Sequence, residues 1–327
     1  MNKQTASRYK GRILLQFYSC KNFGDDMFVR VFAEQFSDYR IILLCNPLQV
    51  PSDLPQNVKI AYTLSWLISI NKKVGKHFPF ASKLLSRFNS RIISFKRNRS
   101  DASVIITGSI YMDFPTGDEK EQIFSIDKSI KRDFDISSDY QSCNGDFIIG
   151  ANIGPVYHDD FVAGVEKEIS KLKHICLRDY ASYMLLKNRD NVHYAPDVLF
   201  LTRTSDVADN EIYHNKVLIS VVNVDSKPIS LQDKNAYYQL IEDTIKAYGA
   251  DNCCLVSFCR KEGDSQAIDH ILEQFEEVDR QKILRLEYDE NTLEILEAFK
   301  SCRYVVATRF HSMILAALFG KKFLIPF

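Results

Sequence analysis

The 327-residue sequence predicts an α/β fold of parallel sheets covered by helices and divided between two domains. Three observations carry this expectation. The chain is longer than one hydrophobic core usually serves. From residue 217 onward, short apolar runs alternate with stretches of helical period: strands at 217–222, 253–258, 282–286, 304–307 and 323–326, and helices at 235–248, 264–275, 291–299 and 311–319. In both halves the chemistry-bearing residues come directly after strands, where parallel sheets hold their ligands.

The first half opens with an apolar strand, Arg12 to Tyr18, and a turn containing Asn22-Phe23-Gly24-Asp25-Asp26. A helix through Met27, Val29, Phe32 and Phe36 and a strand, Ile41 to Cys45, complete a βαβ unit. The turn lacks the Gly-x-Gly-x-x-Gly pattern, which disfavours a dinucleotide site and a dehydrogenase. Gly24 allows close backbone approach, while Asp25 and Asp26 suit a helix start through capping and the dipole. The strand Ala102 to Thr107 delivers Gly108-Ser109, and Phe147 to Ile149 delivers Gly150-Ala-Asn152-Ile-Gly154-Pro155. His174 to Leu177 ends in Arg178-Asp179, and Val192 to Ala195 in Pro196-Asp197. Residues 115–145 are polar and turn-rich, which predicts an irregular connection or lid. A polar bridge from Thr202 to Asn215 places the division between residues 1–205 and 206–327.

Near the end, Val305-Val306 reads as a buried strand, and Met313, Ile314, Ala317 and Leu318 recur at helical spacing ahead of Gly320. Thr308, Arg309 and His311 therefore sit where a strand stops and a helix begins. The helix start presents unpartnered N–H groups and a positive dipole end, so with a guanidinium and an imidazole it suits phosphate and carboxylate. The plainer reading is an outward Arg and a His satisfied at a helix start.

Net charge is zero, against a nucleic-acid binder, but its distribution is uneven. Ala61 to Ser100 holds nine Lys/Arg and no Asp or Glu, leaving 33 basic against 42 acidic residues elsewhere. Trp66, Phe78, Leu84, Phe88 and Ile92 interleave with these charges as one or two amphipathic helices broken near Pro79. That pattern suits peripheral contact with an anionic membrane through 61–100, or an acceptor carrying a lipid pyrophosphate; the alternative is a solvated face over an ordinary core. The eight cysteines show no metal-ligand spacing, so no metal is expected, and a reducing compartment fits. Without a signal peptide or a run of roughly 20 apolar residues, the expected place is the cytoplasm, including the inner face of the membrane.

Taken in order, these segments resemble the polysaccharide pyruvyl transferase family. The resemblance rests on Asn22-Phe-Gly-Asp25, Val104-Ile-Ile-Thr-Gly108-Ser109, Gly150-Ala-Asn-Ile-Gly-Pro155, Leu177-Arg178-Asp179-Tyr-Ala-Ser182, Ala195-Pro196-Asp197 and Arg309-Phe-His311-Ser312 through Gly320. It implies two Rossmann-like domains facing a cleft, similar to the glycosyltransferase B architecture. It also implies transfer of pyruvate from phosphoenolpyruvate to two hydroxyls of a sugar or oligosaccharide acceptor, free or lipid-linked, with a ketal formed and phosphate released. No cofactor is implied, since phosphoenolpyruvate is the donor substrate.

Arg178, Arg309 and His311 match the family's phosphoenolpyruvate residues. His311 is the expected general acid or phosphate partner, and Asp25, ahead of Asp26 or Asp197, the residue that orients or deprotonates the acceptor hydroxyl. Asn22, Gly24, Gly108, Ser109, Asn152, Gly154, Asp197 and Ser312 complete the expected substrate site. Two departures stand out: Thr107-Gly108-Ser109 has one glycine where relatives often have more, and the sequence stops at Phe327, which implies a shortened C-terminal domain. The rival readings are a nucleotide-sugar glycosyltransferase on the same scaffold and a non-catalytic binding member of a polysaccharide cluster.

Overall fold

Two parallel sheets organise the chain in a computed structural model that describes residues 9–64, 79–113, 146–158, 160–225 and 229–326. The expected lid at 115–145 and the first part of the basic segment, 65–78, lie outside the described residues. Two compact units result: Met1–Ser19, Phe28–Val50 and Leu54–Val198 form one, and Cys20–Met27, Pro51–Asp53 and Leu199–Phe327 the other. The sequence-based division at 205/206 thus meets a break at 198/199, with residues 20–27 and 51–53 grouped with the later part of the chain.

The first unit contains β1 (Arg12–Gln16), β2 (Arg40–Cys45), β3 (Val58–Tyr62), β4 (Ala102–Ile106), β5 (Ser109–Tyr111), β6 (Phe147–Ile153), β7 (His174–Leu177) and β8 (Val192–Tyr194). They form a parallel sheet in the order β3-β2-β1-β4-β6-β7-β8, with β5 added alongside β6. Helix α1 (Phe23–Gln35) follows β1, and α2 (Pro79–Arg97) precedes β4. Two further helices, α3 (Phe161–Ile169) and α4 (Tyr180–Leu186), flank β7. Phe161, Val165 and Ile169 recur at spacing four on α3 and pack on Ile148, Ile175 and Leu177 of the sheet. Truncating the fully buried Phe161 to Ala would cost roughly 3–5 kcal/mol.

The second unit carries β9 (Val217–Val221), α5 (Leu231–Tyr248), β10 (Cys253–Ser257), α6 (Asp264–Leu272), α7 (Glu277–Arg280) and β11 (Leu284–Glu287). It ends with α8 (Thr292–Ser301), β12 (Tyr304–Val306), α9 (Phe310–Leu318) and β13 (Lys322–Leu324). Every residue of β9 and β10 is buried, as expected of strands covered on both faces. The sheet order is β11-β10-β9-β12-β13, all parallel, so chain direction across the sheet reverses between β9 and β12. In the first sheet the same reversal falls between β1 and β4. Both are Rossmann-like, and loops leaving the strands beside such a reversal are where ligands of this fold class bind. Among the described residues, no helix is long and apolar enough to cross a membrane.

Candidate active site

In the first unit, Arg178 leaves the carboxyl end of β7 and is held by its neighbours along the sheet. Its backbone N–H donates to the Ala151 carbonyl at 2.9 Å. Its guanidinium donates to Asp197 Oδ2 at 3.2 Å, Asn152 Oδ1 at 2.7 Å and Ser109 Oγ at 3.3 Å. Ser109 Oγ in turn donates to Asn152 Oδ1 at 2.9 Å. Only 6% of the Arg178 side chain and 1% of that of Asp197 are exposed, so this is a buried ion pair inside a polar frame. A Cβ added to Gly108 would lie 2.9 Å from Arg178 Nη1, so the single glycine of that turn falls where the guanidinium passes. Gly154 has a different task. At φ +123° it turns the chain into Pro155, and its N–H bonds the Tyr111 carbonyl at 2.8 Å.

In the second unit, the residues after β1 meet those after β10 and β12. Asn22 starts α1, its Oδ1 accepting from Gly24 N–H at 3.0 Å, and Phe23 N–H bonds the Phe258 carbonyl at 3.1 Å. His311 lies directly against Gly24: a Cβ there would be 1.9 Å from the imidazole Nδ1, an overlap no packing shift absorbs cheaply. Two motifs almost the whole chain apart therefore interlock, and a glycine is what makes room.

Arg309 precedes α9 as its N-cap residue but makes no side-chain capping bond. Its guanidinium donates instead to Glu262 Oε2 at 2.9 Å and to Asp264 Oδ1. Asp264 is fully buried, and its Oδ2 accepts the N–H groups of Phe258 at 3.1 Å and Cys259 at 2.9 Å. Burial pushes the Asp264 carboxyl up, against the opposing pull of Arg309. Desolvation works against the Arg309 charge, but Asp264 and Glu262 outweigh it and hold the guanidinium firmly protonated. Arg309 Nε is buried with no hydrogen-bond partner among the described residues.

Ser312 is fully buried; its hydroxyl donates to the Arg309 carbonyl at 2.6 Å and lies 2.8 Å from Ser220 Oγ. These bonds tie the start of α9 to the end of β9, which makes Ser312 part of the frame. Asp25 is buried, 8% exposed. Asp26 is 2% exposed and accepts from the Tyr288 hydroxyl at 2.7 Å. Burial raises its pKa to about 7, although the Tyr288 bond pulls the other way.

Apart from Gly154, which bonds Tyr111, the expected residues thus fall into two centres. Gly108, Ser109, Asn152, Arg178 and Asp197 gather in the first unit, and Asn22, Gly24, Asp25, Arg309, His311 and Ser312 belong to the second. Glu262 and Asp264 escape a reading by sequence, although they share its main signal by following the carboxyl end of β10. So does a close grouping of Cys20, Cys259 and Glu262, whose potential ligand atoms lie within 4.8 Å of one another. A hydrogen bond from Cys20 raises its own thiol pKa and lowers that of Cys259.

The sequence profile of the family described as polysaccharide pyruvyl transferase matches residues 22–325. The chain belongs to that family. Both centres of this pyruvyl transferase family member lie within the matched span. No curated protein matches the chain by sequence. Among solved structures, TcCGT1 in complex with UDP is similar at 9% identity and TM-score 0.49, over 96% of this chain and 80% of that one. The ADP-heptose LPS heptosyltransferase II of E. coli is similar at 13% identity and TM-score 0.41, over 95% and 83%. The α,α-trehalose 6-phosphate synthase of Burkholderia multivorans is similar at 8% identity and TM-score 0.43, over 92% and 76%.

Proposed function

We propose that this transferase moves pyruvate from phosphoenolpyruvate onto two hydroxyls of a sugar in a surface polysaccharide or its precursor, forming a ketal and releasing phosphate. The observation that carries the reading is the seating of His311 against Gly24 at the start of α9, next to Arg309. Family membership supplies the reaction class.

The chemistry needs a proton at the methylene carbon of phosphoenolpyruvate, which becomes methyl and leaves cationic character at the neighbouring carbon. One sugar hydroxyl attacks that carbon and loses its proton. The carbon–oxygen bond to phosphate then breaks, and the second hydroxyl closes the ring with loss of its own proton. In its protonated form His311 supplies the first proton, and a phosphate beside the imidazole favours that form. The dipole of α9 acts on the same negative charge.

Arg309 has one permanent and one exchangeable partner. Asp264 is 0% exposed and bound by two backbone N–H groups, whereas 31% of the Glu262 side chain is exposed. An incoming phosphate or carboxylate takes the place of Glu262, while Asp264 keeps the guanidinium aimed. Asp25 orients the acceptor hydroxyl. Arg178 belongs to the substrate-binding set, its direction fixed by Asp197, Asn152 and Ser109.

The test is phosphate release from phosphoenolpyruvate in the presence of sugar acceptors. His311→Ala and Arg309→Ala are expected to lower turnover at least about 100-fold, in line with loss of a general acid or an anion-holding group. Full turnover in both variants would remove the assignment. Thermal stabilisation by UDP or GDP, with none by phosphoenolpyruvate, would instead favour a glycosyltransferase.

A further inference from the structure

Helix α2 shows two contrasting faces. Asn89 and Ile93, 1% and 0% exposed, point inward. Ile93 packs with Leu14, Leu44 and Ala61 on the first sheet, and Asn89 Oδ1 accepts the Leu64 N–H at 2.7 Å. On the other side Leu84, Phe88 and Phe95 are 45%, 48% and 54% exposed. At the helical step of 100° per residue, Leu84, Arg87, Phe88, Arg91 and Phe95 fall within an arc of about 100°. Just beyond the helix, the Arg99 guanidinium sits 4.5 Å above the Phe95 ring. Arg97 is turned away, to Asp146 at 2.5 Å. Among the described residues Arg87 and Arg91 meet no carboxylate, and the whole stretch 61–100 contains no Asp or Glu.

We infer that this outward face of α2 docks on the surface of an anionic lipid bilayer. A single exposed Leu or Phe is unremarkable, but three in one stripe set among arginines need a covering that serves both kinds of group. An apolar protein surface would bury the phenylalanines and strand the guanidinium groups. An anionic bilayer offers phosphates at the level of the arginines and the acyl boundary below them for Phe88, Phe95 and Leu84. Each basic side chain near such a surface multiplies binding roughly five-fold, and salt reduces that part. The inference stands on α2 alone and is independent of the reaction proposed above.

The experiment is co-sedimentation of the full chain with vesicles of phosphatidylcholine, alone or with about 30% phosphatidylglycerol. Partitioning to the anionic vesicles is expected to be at least about 10-fold stronger and to fall as salt is added. Arg87→Gln with Arg91→Gln should weaken it about 25-fold, and Phe88→Ser with Phe95→Ser about 10-fold, with thermal midpoints unchanged because these side chains are exposed. Leu231→Ser, an exposed apolar change in the second unit, should leave binding as it was. Equal partitioning to both vesicles, or wild-type binding by either double variant, would overturn the inference. So would a dimer in sedimentation equilibrium that the Phe88→Ser/Phe95→Ser pair abolishes in a chain that ignores vesicles, since the face would then belong to a second copy.

Discussion

Arg178 and Arg309 each leave the carboxyl end of a parallel strand, and each meets a buried aspartate, but the helix that follows is finished differently. At α4, Asp179 caps the first turn, its carboxylate accepting Ser182 N–H at 2.8 Å and Ser182 Oγ–H at 2.6 Å. At α9 the cap position is Arg309 itself, with no capping bond from its side chain. Among the described residues, Arg178 has one buried carboxylate and two neutral acceptors, Asn152 half-buried and Ser109 exposed. Arg309 has two carboxylates, one of them partly in solvent. The comparison teaches that the first centre pairs its guanidinium with a carboxylate shut away from solvent, whereas the second adds a further, partly exposed carboxylate beside a positive helix end.

The largest effect should come from removing the permanent partner. Asp264→Ala leaves Arg309 buried with Glu262 as its one remaining carboxylate among the described residues, so urea unfolding should show a loss of about 3–5 kcal/mol. A loss below about 1 kcal/mol would mean that Asp264 does not anchor the guanidinium. Next come the two glycines. Gly24→Ala puts a methyl into the imidazole, and turnover should fall at least about 100-fold, close to 2.7 kcal/mol. Gly108→Ala meets only the end of a long side chain, so a loss of about 10-fold is expected. Equal losses would erase that distinction between the two centres.

A smaller effect concerns Asp26, whose carboxyl titrates near pH 7 when folded. Below the ordinary carboxylate range it is protonated in both states, so burial carries no titration penalty. As pH rises from there to about 7 the unfolded chain gives up the proton and the folded chain keeps it, and stability falls. Asp26→Asn removes that loss while its amide oxygen can still accept from Tyr288. Thermal unfolding should show a gain on the order of 2 kcal/mol at about pH 8 that vanishes near pH 4. The same gain at both pH values would locate the effect elsewhere. Smallest of all, Glu262→Gln should change stability by less than about 1 kcal/mol, since the pair is partly exposed, yet tighten phosphoenolpyruvate binding a few-fold in calorimetry. Weaker binding would make Glu262 a ligand-holding residue rather than a displaced one.

The alternation of strands and helices after residue 217 was legible because buried parallel strands are continuous apolar runs. Boundaries were less so. Helix α5 begins at Leu231 rather than 235 because Ser230 caps it, its Oγ accepting Asp233 N–H at 3.1 Å. Strand β3 went unread, since Val58-Lys-Ile-Ala-Tyr62 is short and merges into the basic stretch. Post-strand placement pointed to Arg178 and Arg309, because a parallel sheet sends its loops to one edge. Their carboxylate partners are another matter. Arg260-Lys-Glu-Gly-Asp264 has the composition of a solvated loop, and only folding brings Glu262 and Asp264 to Arg309. Nor could spacing reveal that Gly24 makes room for His311, since that contact joins the two ends of the chain.

One titration goes to the centre of this account: phosphoenolpyruvate added in a calorimeter to the wild-type chain and to His311→Asn. Saturable binding by the wild type, weakened at least about 10-fold in the variant, is the predicted result. Equal affinity in both proteins would contradict it, because the helix start at His311 would then not be where the enol phosphate is held.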